Sequence, residues 1–358
     1  MSISLTEASK LSTDILLKGI IETIVKDSPI LQELPFIQIV GNSLKYNREK
    51  TLPTVAWYDP VTDTWTTSEP EFEQCSASLC ILGGDADVDN FLKATRSNIQ
   101  DLEAAVIEQK AKALRNEFEN VFLNGDSSVN PKQPDGLHKT MKGTAWTADT
   151  AYALGDVVVP TAGLENGFRY ECTTAGTSHA TTEPTWPTAE GETVTDCTVV
   201  WTCRLGSHLG MAVNGATLSQ TKIDQLVDLV RGGKPDLLLM SRRSRRKLAA
   251  LARAQGNNLQ VGQGKLGEFV ELYNGIPVAI SDWVKDNYTV GSNGDCSAIF
   301  AFQMGEGAVC GLTSPEMIQV ERLGSLETKD AARTRVKWYV SLANFSIVKA
   351  AMLTGVRD

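Results

Sequence analysis

Nowhere in the 358 residues is there an apolar run of about 18 residues or more, so the sequence offers no membrane-spanning helix. The opening residues, MSISLTEASK, lack the basic stretch and apolar core of a secretory signal. Histidine is scarce: His138, His179 and His208 are the only three, which argues against a histidine-rich metal site. The seven cysteines are odd in number and scattered, as suits a reducing compartment better than a disulfide framework. Cys75 and Cys80, like Cys197 and Cys203, have no histidine to complete a zinc set. Positive charge is in deficit: 34 Lys and Arg against 43 Asp and Glu give −9, a poor balance for a protein that grips nucleic acid tightly. Neither GxSxG nor HExxH occurs. No enzyme activity and no cofactor are expected.

What is present is an order of elements of strongly differing texture. The length allows two or three domains. Two short amphipathic stretches, near Leu5–Lys18 and Ile20–Lys26, make an arm too short to be a domain. Residues 44–82 read as a long hairpin turning at Asp59-Pro60-Val61-Thr62-Asp63. Thr51 to Gly84 holds no Lys or Arg, but carries Asp59, Asp63, Glu69, Glu71 and Glu73, with Trp57 and Trp65 near the tip. A two-stranded ribbon is marginal alone in water, so this one should lie on another surface. Val88, Phe91, Leu92, Ile99, Leu102, Val106, Leu114, Phe118 and Val121 recur at helical spacing, and no Gly or Pro interrupts Asp85–Leu123. The pattern predicts one helix of roughly 50 Å ending at Asn124-Gly125.

Residues 144–206 change character, with fifteen Thr, three of the seven Trp and three of the seven Cys. Short alternating runs punctuated by Gly155-Asp156, Asn166-Gly167 and Gly176 predict a small all-β module inserted into an otherwise α+β chain. Its aromatic residues, Trp146, Tyr152, Tyr170, Trp186 and Trp201, could stack on sugars, but so small a domain needs large side chains for its own core, and that reading is preferred. Further on, a helix is expected over Ser219–Val230, a buried strand at Asp236–Met240, and a helix capped by Ser241 running to about Ala254. A hairpin is expected around Asn274-Gly275. Ala298–Phe302 and Ala308–Leu312 read as a strand pair, and Met317–Arg322, Arg333–Leu342 and Phe345–Leu353 as further strands.

Three local patterns carry weak chemical signals. Gly262-Gln263-Gly264-Lys265-Leu266-Gly267 matches GxGxxG but is followed by a strand, so a loop is expected rather than a dinucleotide site. Asp85 to Asn90 resembles a calcium loop faintly, but Asn90 and Arg96 stand where Gly and Glu are needed; a carboxylate-rich helix start is the better reading. Arg242, Arg243, Arg245, Arg246, Lys247 and Arg253 form a basic run that could meet phosphate or an acidic neighbour, or could simply be a solvated helix face.

Arm, ribbon, spine helix, compact α+β region and final long strands, in that order, resemble the major capsid proteins of tailed bacteriophages, the Hong Kong 97-type fold. Phe122-Leu123-Asn124-Gly125-Asp126 through Pro134-Asp135-Gly136-Leu137 is similar to that family's stretch after the spine helix. Gly324 to Asp330, Trp338-Tyr339-Val340 and Ala350-Ala351-Met352-Leu353 are similar to its C-terminal strands. Residues 144–206 resemble a β-module appended to phage structural proteins, through Trp146, Tyr152, Gly155-Asp156, Tyr170-Glu171-Cys172, Pro184-Thr185-Trp186-Pro187 and Trp201.

The resemblance implies an α+β fold divided into an N-terminal arm (1–43), an extended loop (44–84), spine helix and peripheral domain (85–143), the inserted domain (144–206), an axial domain (207–314) and peripheral strands (315–358). It implies a virion protein, assembled in the host cytoplasm into pentamers and hexamers of an icosahedral shell that encloses DNA without reading its sequence. It also implies a portal and a scaffolding protein, the latter a separate chain unless a leader segment has been removed. The extended loop, through Trp57, Asp59, Asp63, Trp65, Glu69, Glu71 and Glu73, would lie over a neighbour. Basic surfaces for it are sought in Lys110, Lys112 and Arg115, in Arg333 and Arg335, or in the Arg242–Arg246 run. The lysine with which some members cross-link their loops is missing between Thr51 and Gly84, so no cross-link is expected. The module is expected to project outward as a knob that the host fold can lose. Two rival readings stand beside this one: an encapsulin-like compartment enclosing protein cargo, and a carbohydrate-binding or adhesive protein acting through 144–206.

Overall fold

In a computed structural model the fold is described for residues 29–59, 62–96, 102–256, 260–263, 269–326 and 328–357. The helices expected before residue 27 lie outside these residues; of the loop expected at Gly262–Gly267, Gly262 and Gln263 belong instead to a strand (Gln260–Gln263) and the rest lies outside them. A short turn, α1 (Ile30–Glu33), leads through β1 (Phe36–Gln38) to a ribbon of β2 (Ser43–Thr51) and β3 (Glu71–Ser78). The ribbon's ladder runs from Ser43↔Ser78 to Thr51↔Glu71. Beyond it the two arms are no longer laddered but remain together. The Thr54 N–H donates to Ser68 Oγ at 2.7 Å, Tyr58 stacks on Trp65 with ring centroids 4.4 Å apart, and the Asp59 N–H donates to Asp63. The expected hairpin therefore forms, but its return arm ends at Ser78.

The next segment corrects the expected helix. β4 (Cys80–Asp89) precedes α2 (Asn90–Arg96) and α3 (Leu102–Asn124), so residues 85–89 are strand. The physical signal is the alternation of Asp85, Ala86, Asp87, Val88. Ala86 and Val88 are buried on one face, while Asp85 and Asp87 meet Arg335 and Arg333 on the other. These carboxylates are neither a calcium loop nor a helix start. α3 has 23 residues, about 35 Å, and buries Ala105, Leu114, Phe118, Phe122 and Leu123. After it the backbones of Gly125 and Gly136 touch: a Cβ on Gly136 would come within 2.6 Å of the Gly125 nitrogen. Glycine at both positions lets α4 (Leu137–Lys142) fold back beside α3.

Residues 144–206 hold β5 (Ala151–Tyr152), β6 (Val157–Val158), β7 (Asn166–Thr174), β8 (Gly176–Thr177), β9 (Thr193–Asp196) and most of β10 (Val199–Gly210). Then follow β11 (Ala216–Thr217), α5 (Gln220–Leu229), β12 (Leu237–Met240), α6 (Arg242–Ala254), β13 (Gln260–Gln263), β14 (Phe269–Tyr273) and β15 (Ile276–Ile280). Both helices are capped, Ser219 accepting from the Lys222 N–H and Ser241, as expected, from the Ser244 N–H. Asn274 and Gly275, both at positive φ, turn β14 into β15. The chain closes with β16 (Tyr288–Val290), β17 (Asn293–Phe302), β18 (Val309–Ser325), β19 (Ala331–Asn344) and β20 (Ala350–Arg357).

Two large sheets result among the described residues. One has the order β1-β18-β19-β4. The other has twelve strands, with the main path β13-β14-β15-β12-β17-β20-β10-β7-β6. The expected pairing of 298–302 with 308–312 does not form. β17 stays in the large sheet, β18 enters the small one, and only a Met304↔Val309 bridge joins them. Chain reversal at Gly305 and Gly307 thus passes the chain from one sheet to the other.

Leu237-Leu238-Leu239-Met240 shows why β12 is apolar throughout. Leu237 and Leu239 belong to the cluster under α3, and Leu238 and Met240 to the cluster under α5 and α6. Both faces of the strand are covered, so alternation disappears. The first cluster centres on Trp338, whose ring lies 4.9 Å from Phe118 and 5.5 Å from Phe36. Its indole N–H donates to Thr313 Oγ1 at 3.0 Å. Phe122 reaches Phe302 at 6.3 Å and so connects the two sheets.

Two histidines lie near these contacts, His208 buried and His138 half-buried. His138 stacks on Tyr288 at 4.4 Å, and His208 lies between the Lys142 carbonyl (3.2 Å) and Thr354 Oγ1 (2.9 Å). A carbonyl can only accept, so His208 donates through Nδ1 and accepts from Thr354 at Nε2. Burial pushes the imidazole of His138 down to about 4 and that of His208 to about 3.

Two outcomes follow from this packing. Trp338→Ala should lower unfolding stability by about 3–5 kcal/mol in a denaturant titration, because a fully packed indole leaves a cavity and Thr313 loses its donor. As pH falls below about 6.5, the unfolded chain takes up protons at His138 and His208 that the folded chain refuses, so stability present above that pH is lost on the way to about 4. Each histidine should cost about 1–2 kcal/mol at pH 5. Buried Glu119 and Glu165, whose carboxyls burial pushes up, act in the opposite direction. His208→Gln should therefore visibly shrink the fall in melting midpoint between pH 7 and pH 5.

Candidate assembly surface

The ribbon carries apolar side chains that its own subunit does not bury. Trp57 is fully exposed, Trp65 is 78 % exposed, and Val55, Leu52 and Phe72 are also exposed. Asp59, Asp63, Glu69, Glu71 and Glu73 are exposed or nearly so along the same element. The five acids and two tryptophans singled out in the sequence are therefore together on one projecting arm, with Trp65 held by Tyr58.

The basic candidates stand differently. Arg335 makes a two-point contact with Asp85 (2.7 and 3.0 Å) and Arg333 with Asp87 (2.6 and 2.7 Å). Hydrogen bonds from these guanidinium groups hold both carboxyls below the usual range. Arg333 and Arg335 are thus engaged inside the subunit. On α3, Arg115 is exposed and lies 3.3 Å from the buried Glu119, while Lys110 adds to the positive field on Asp85. Lys112 sits half-buried two residues along.

The basic run on α6 finds its counter-charges within the chain. Arg242 meets Asp282 at 2.8 Å, Arg245 meets Glu271, and Arg243 lies 3.5 Å from Asp286 and donates to the Asp295 carbonyl. Arg246 is exposed. The repulsion evident in the sequence is answered by acids that lie 26 to 43 positions later in the chain.

In residues 144–206 the aromatic side chains point inward. Trp146, Tyr170 and Trp201 are buried in a cluster of their own, with Tyr152 and Trp186 packed against it. Trp146 and Trp201 both donate to Asp196 Oδ2, at 2.8 and 3.4 Å, and the Tyr170 hydroxyl donates to the Pro187 carbonyl at 2.7 Å. Sugar stacking needs an open ring face, and the buried faces of these rings overturn the carbohydrate reading as built on them. The boundary expected at residue 206 is also corrected. β10 runs without a break from the module's pairing with β7 to a parallel pairing with β20 at His208↔Met352. A strand interior, not a linker, joins module and sheet.

Sequence reasoning missed one cluster. Glu171 on β7, 9 % exposed, accepts from Lys50 on the ribbon (2.7 Å) and from Arg204 on β10 (3.0 Å). Burial alone would push its carboxyl up, but the two hydrogen-bonded cations outweigh it and the net shift is downward. The period-two spacing of Tyr46, Arg48 and Lys50 was the available signal, since it puts all three on one ribbon face.

Comparison with known proteins agrees with this architecture. Residues 12–168 match the sequence model of the phage capsid family. A search of curated proteins finds no match. Among solved structures, the capsid of an empty GTA particle is similar over 96 % of both chains, with TM-score 0.63 and 14 % identity. The SrpI encapsulin of Synechococcus elongatus PCC 7942 is similar over 99 % of this chain and 96 % of its own, with TM-score 0.61 and 14 % identity. The capsid of Myoviridae phage XM1 is similar over 96 % of this chain and 97 % of its own, with TM-score 0.59 and 12 % identity. Family pattern and fold point the same way: residues 12–168 match the phage capsid family, and the chain as a whole has the Hong Kong 97-type capsid fold.

Proposed function

We propose that this chain is the repeating subunit of an icosahedral phage head, forming pentamers and hexamers around double-stranded DNA that it does not read. The observation that carries this reading furthest is the ribbon. It exposes Trp57, Trp65 and Val55 on an arm that meets its own subunit's core only at the root, through Leu44 and Ala77. Such side chains gain stability only against a second surface, and in a shell of identical copies that surface is the next subunit. Residues 44–84 then serve as the extended loop, 85–143 and 315–358 as the peripheral domain, and 207–314 as the axial domain. Residues 144–206 are an insertion on the outer face. A separate scaffolding protein and a portal complete the assembly.

Engagement of Arg333 and Arg335 within the subunit shifts the expected basis of loop docking. Exposed ion pairs contribute about 0–1 kcal/mol each, whereas a buried indole contributes more. Docking rests on the tryptophans, with Lys110, Lys112 and Arg115 supplying a favourable field for the acidic arm.

The encapsulin likeness favours a second reading, a compartment around protein cargo. Nuclease-protected DNA inside purified particles supports the head reading, and a stoichiometric cargo protein supports the other.

Two outcomes are expected. Joint replacement Trp57→Ala and Trp65→Ala should leave a folded subunit that fails to form closed shells in electron micrographs; normal shells would remove the docking role of the ribbon. Particles boiled under reducing conditions should run as a single band near 38.8 kDa, because the ribbon between Thr51 and Gly84 has no lysine to link. A ladder of multiples would contradict this.

A further inference from the structure

The root of the ribbon is held in two places. Tyr46, Arg48 and Lys50 alternate along β2 and face the body of the subunit together. Tyr46 and Arg48 engage the turn after β19. The Tyr46 hydroxyl donates to the Asn344 carbonyl at 3.1 Å, Arg48 donates to the Phe345 carbonyl at 2.9 Å, and the Tyr46 ring meets Phe345 edge-on at 4.7 Å. Lys50 goes elsewhere, to Glu171 at 2.7 Å, and Glu171 is itself fixed by Arg204. Arg169, two residues before Glu171 on β7, lines the same crevice as Glu73 of the ribbon's return arm. Between the two holds lies an open crevice of about 770 Å³ bordered by Arg48, Lys50, Arg169 and Val348.

The position of Lys50 gives this contact leverage. The ladder ends at Thr51↔Glu71, one residue beyond it. From there the arms run to a tip at residue 59, about 30 Å away at the rise of an extended chain. A rotation of about 10° at the root would carry Trp57 and Trp65 about 4 Å sideways, enough to miss a binding surface on a neighbour. Tyr46 and Arg48 lie further back, so among the described residues Lys50 makes the last side-chain ion pair between ribbon and body before the free span. The group that takes it belongs to residues 144–206, whose strand β10 is built into the large sheet and cannot swing.

We propose that the module formed by residues 144–206 braces the ribbon within its own subunit, with Glu171 as the positioning residue that receives Lys50 and so sets the direction in which the ribbon leaves. This gives the insertion a role beyond decoration, and its consequence for shell geometry rests on the docking reading above. The brace itself does not depend on it, because it is a contact inside one chain.

The test is a double-mutant cycle of Glu171→Gln and Lys50→Gln in the full chain, read by hydrogen exchange at the ribbon-root amides of β2 and β3. Each single variant should speed exchange there about fivefold, the size a half-buried ion pair supports, and the double variant should be no faster than either single. Amides in β7 and β10 should keep their protection. Unchanged exchange at the root, or single effects that multiply in the double variant, would overturn the brace. Should Glu171→Gln loosen the module as well, Lys50→Gln decides alone, since it removes nothing from the module's core: faster exchange at the root supports the proposal and unchanged exchange overturns it. The Trp57/Trp65 variant should retain slow exchange at the root, so failure of docking and failure of the brace give different results.

Discussion

Packing of α3 across the small sheet, through Phe118 against Trp338, is the interaction on which the rest of the fold depends. Phe36 brings the residues after α1 into the same cluster, and Phe122 meets Phe302 of the large sheet. Helix, both sheets and the start of the described chain therefore share one apolar centre. Of the strands that carry it, β17 and β20 lie in the large sheet and β18 and β19 in the small one. Neither sheet could move far without opening that centre, and close-packed interiors resist such motion.

Charge is distributed around this centre in local pairs. Asp85 and Asp87 meet Arg335 and Arg333 across adjacent strands, and the arginines of α6 meet acids from later loops and strands. The subunit neutralises most of its dense basic stretches internally and leaves the ribbon as a long acidic element with exposed indoles. That arrangement suits a container. Strong positive faces would hold DNA fast, whereas under the proposed function an acidic chain with its cations engaged would enclose it without gripping.

The ribbon and the 144–206 module depend on each other. The ribbon is too narrow to have a core, so its direction must come from what holds its root. The module has its own core around Tyr170 and Trp201 but reaches the rest of the subunit through a shared strand and through Glu171. His208 sits where that strand enters the large sheet, donating to the Lys142 carbonyl, so entry and exit of the module are adjacent.

Much of this was legible in the residues. The ribbon and its turn, the capped helices α5 and α6, the Asn274-Gly275 hairpin and the inward aromatic core of 144–206 follow from alternation, capping and turn chemistry, which act over a few residues. The sequence also suggested the capsid architecture through the order of those elements. Other features depended on partners far along the chain. Helical spacing after Val88 masked the strand at 85–89, because the alternation there is short and Arg333 and Arg335 lie some 250 positions away. The separation of 298–302 from 308–312 into different sheets turned on which long strands were available to pair. Run Arg242–Arg246 gave no sign of Asp282 or Glu271, and Lys50 none of Glu171. Local propensity thus determined which segments are strand, helix or turn, while tertiary structure alone decided which charges neutralise each other and where the ribbon points, since those contacts join residues that only the folded chain brings within hydrogen-bond reach.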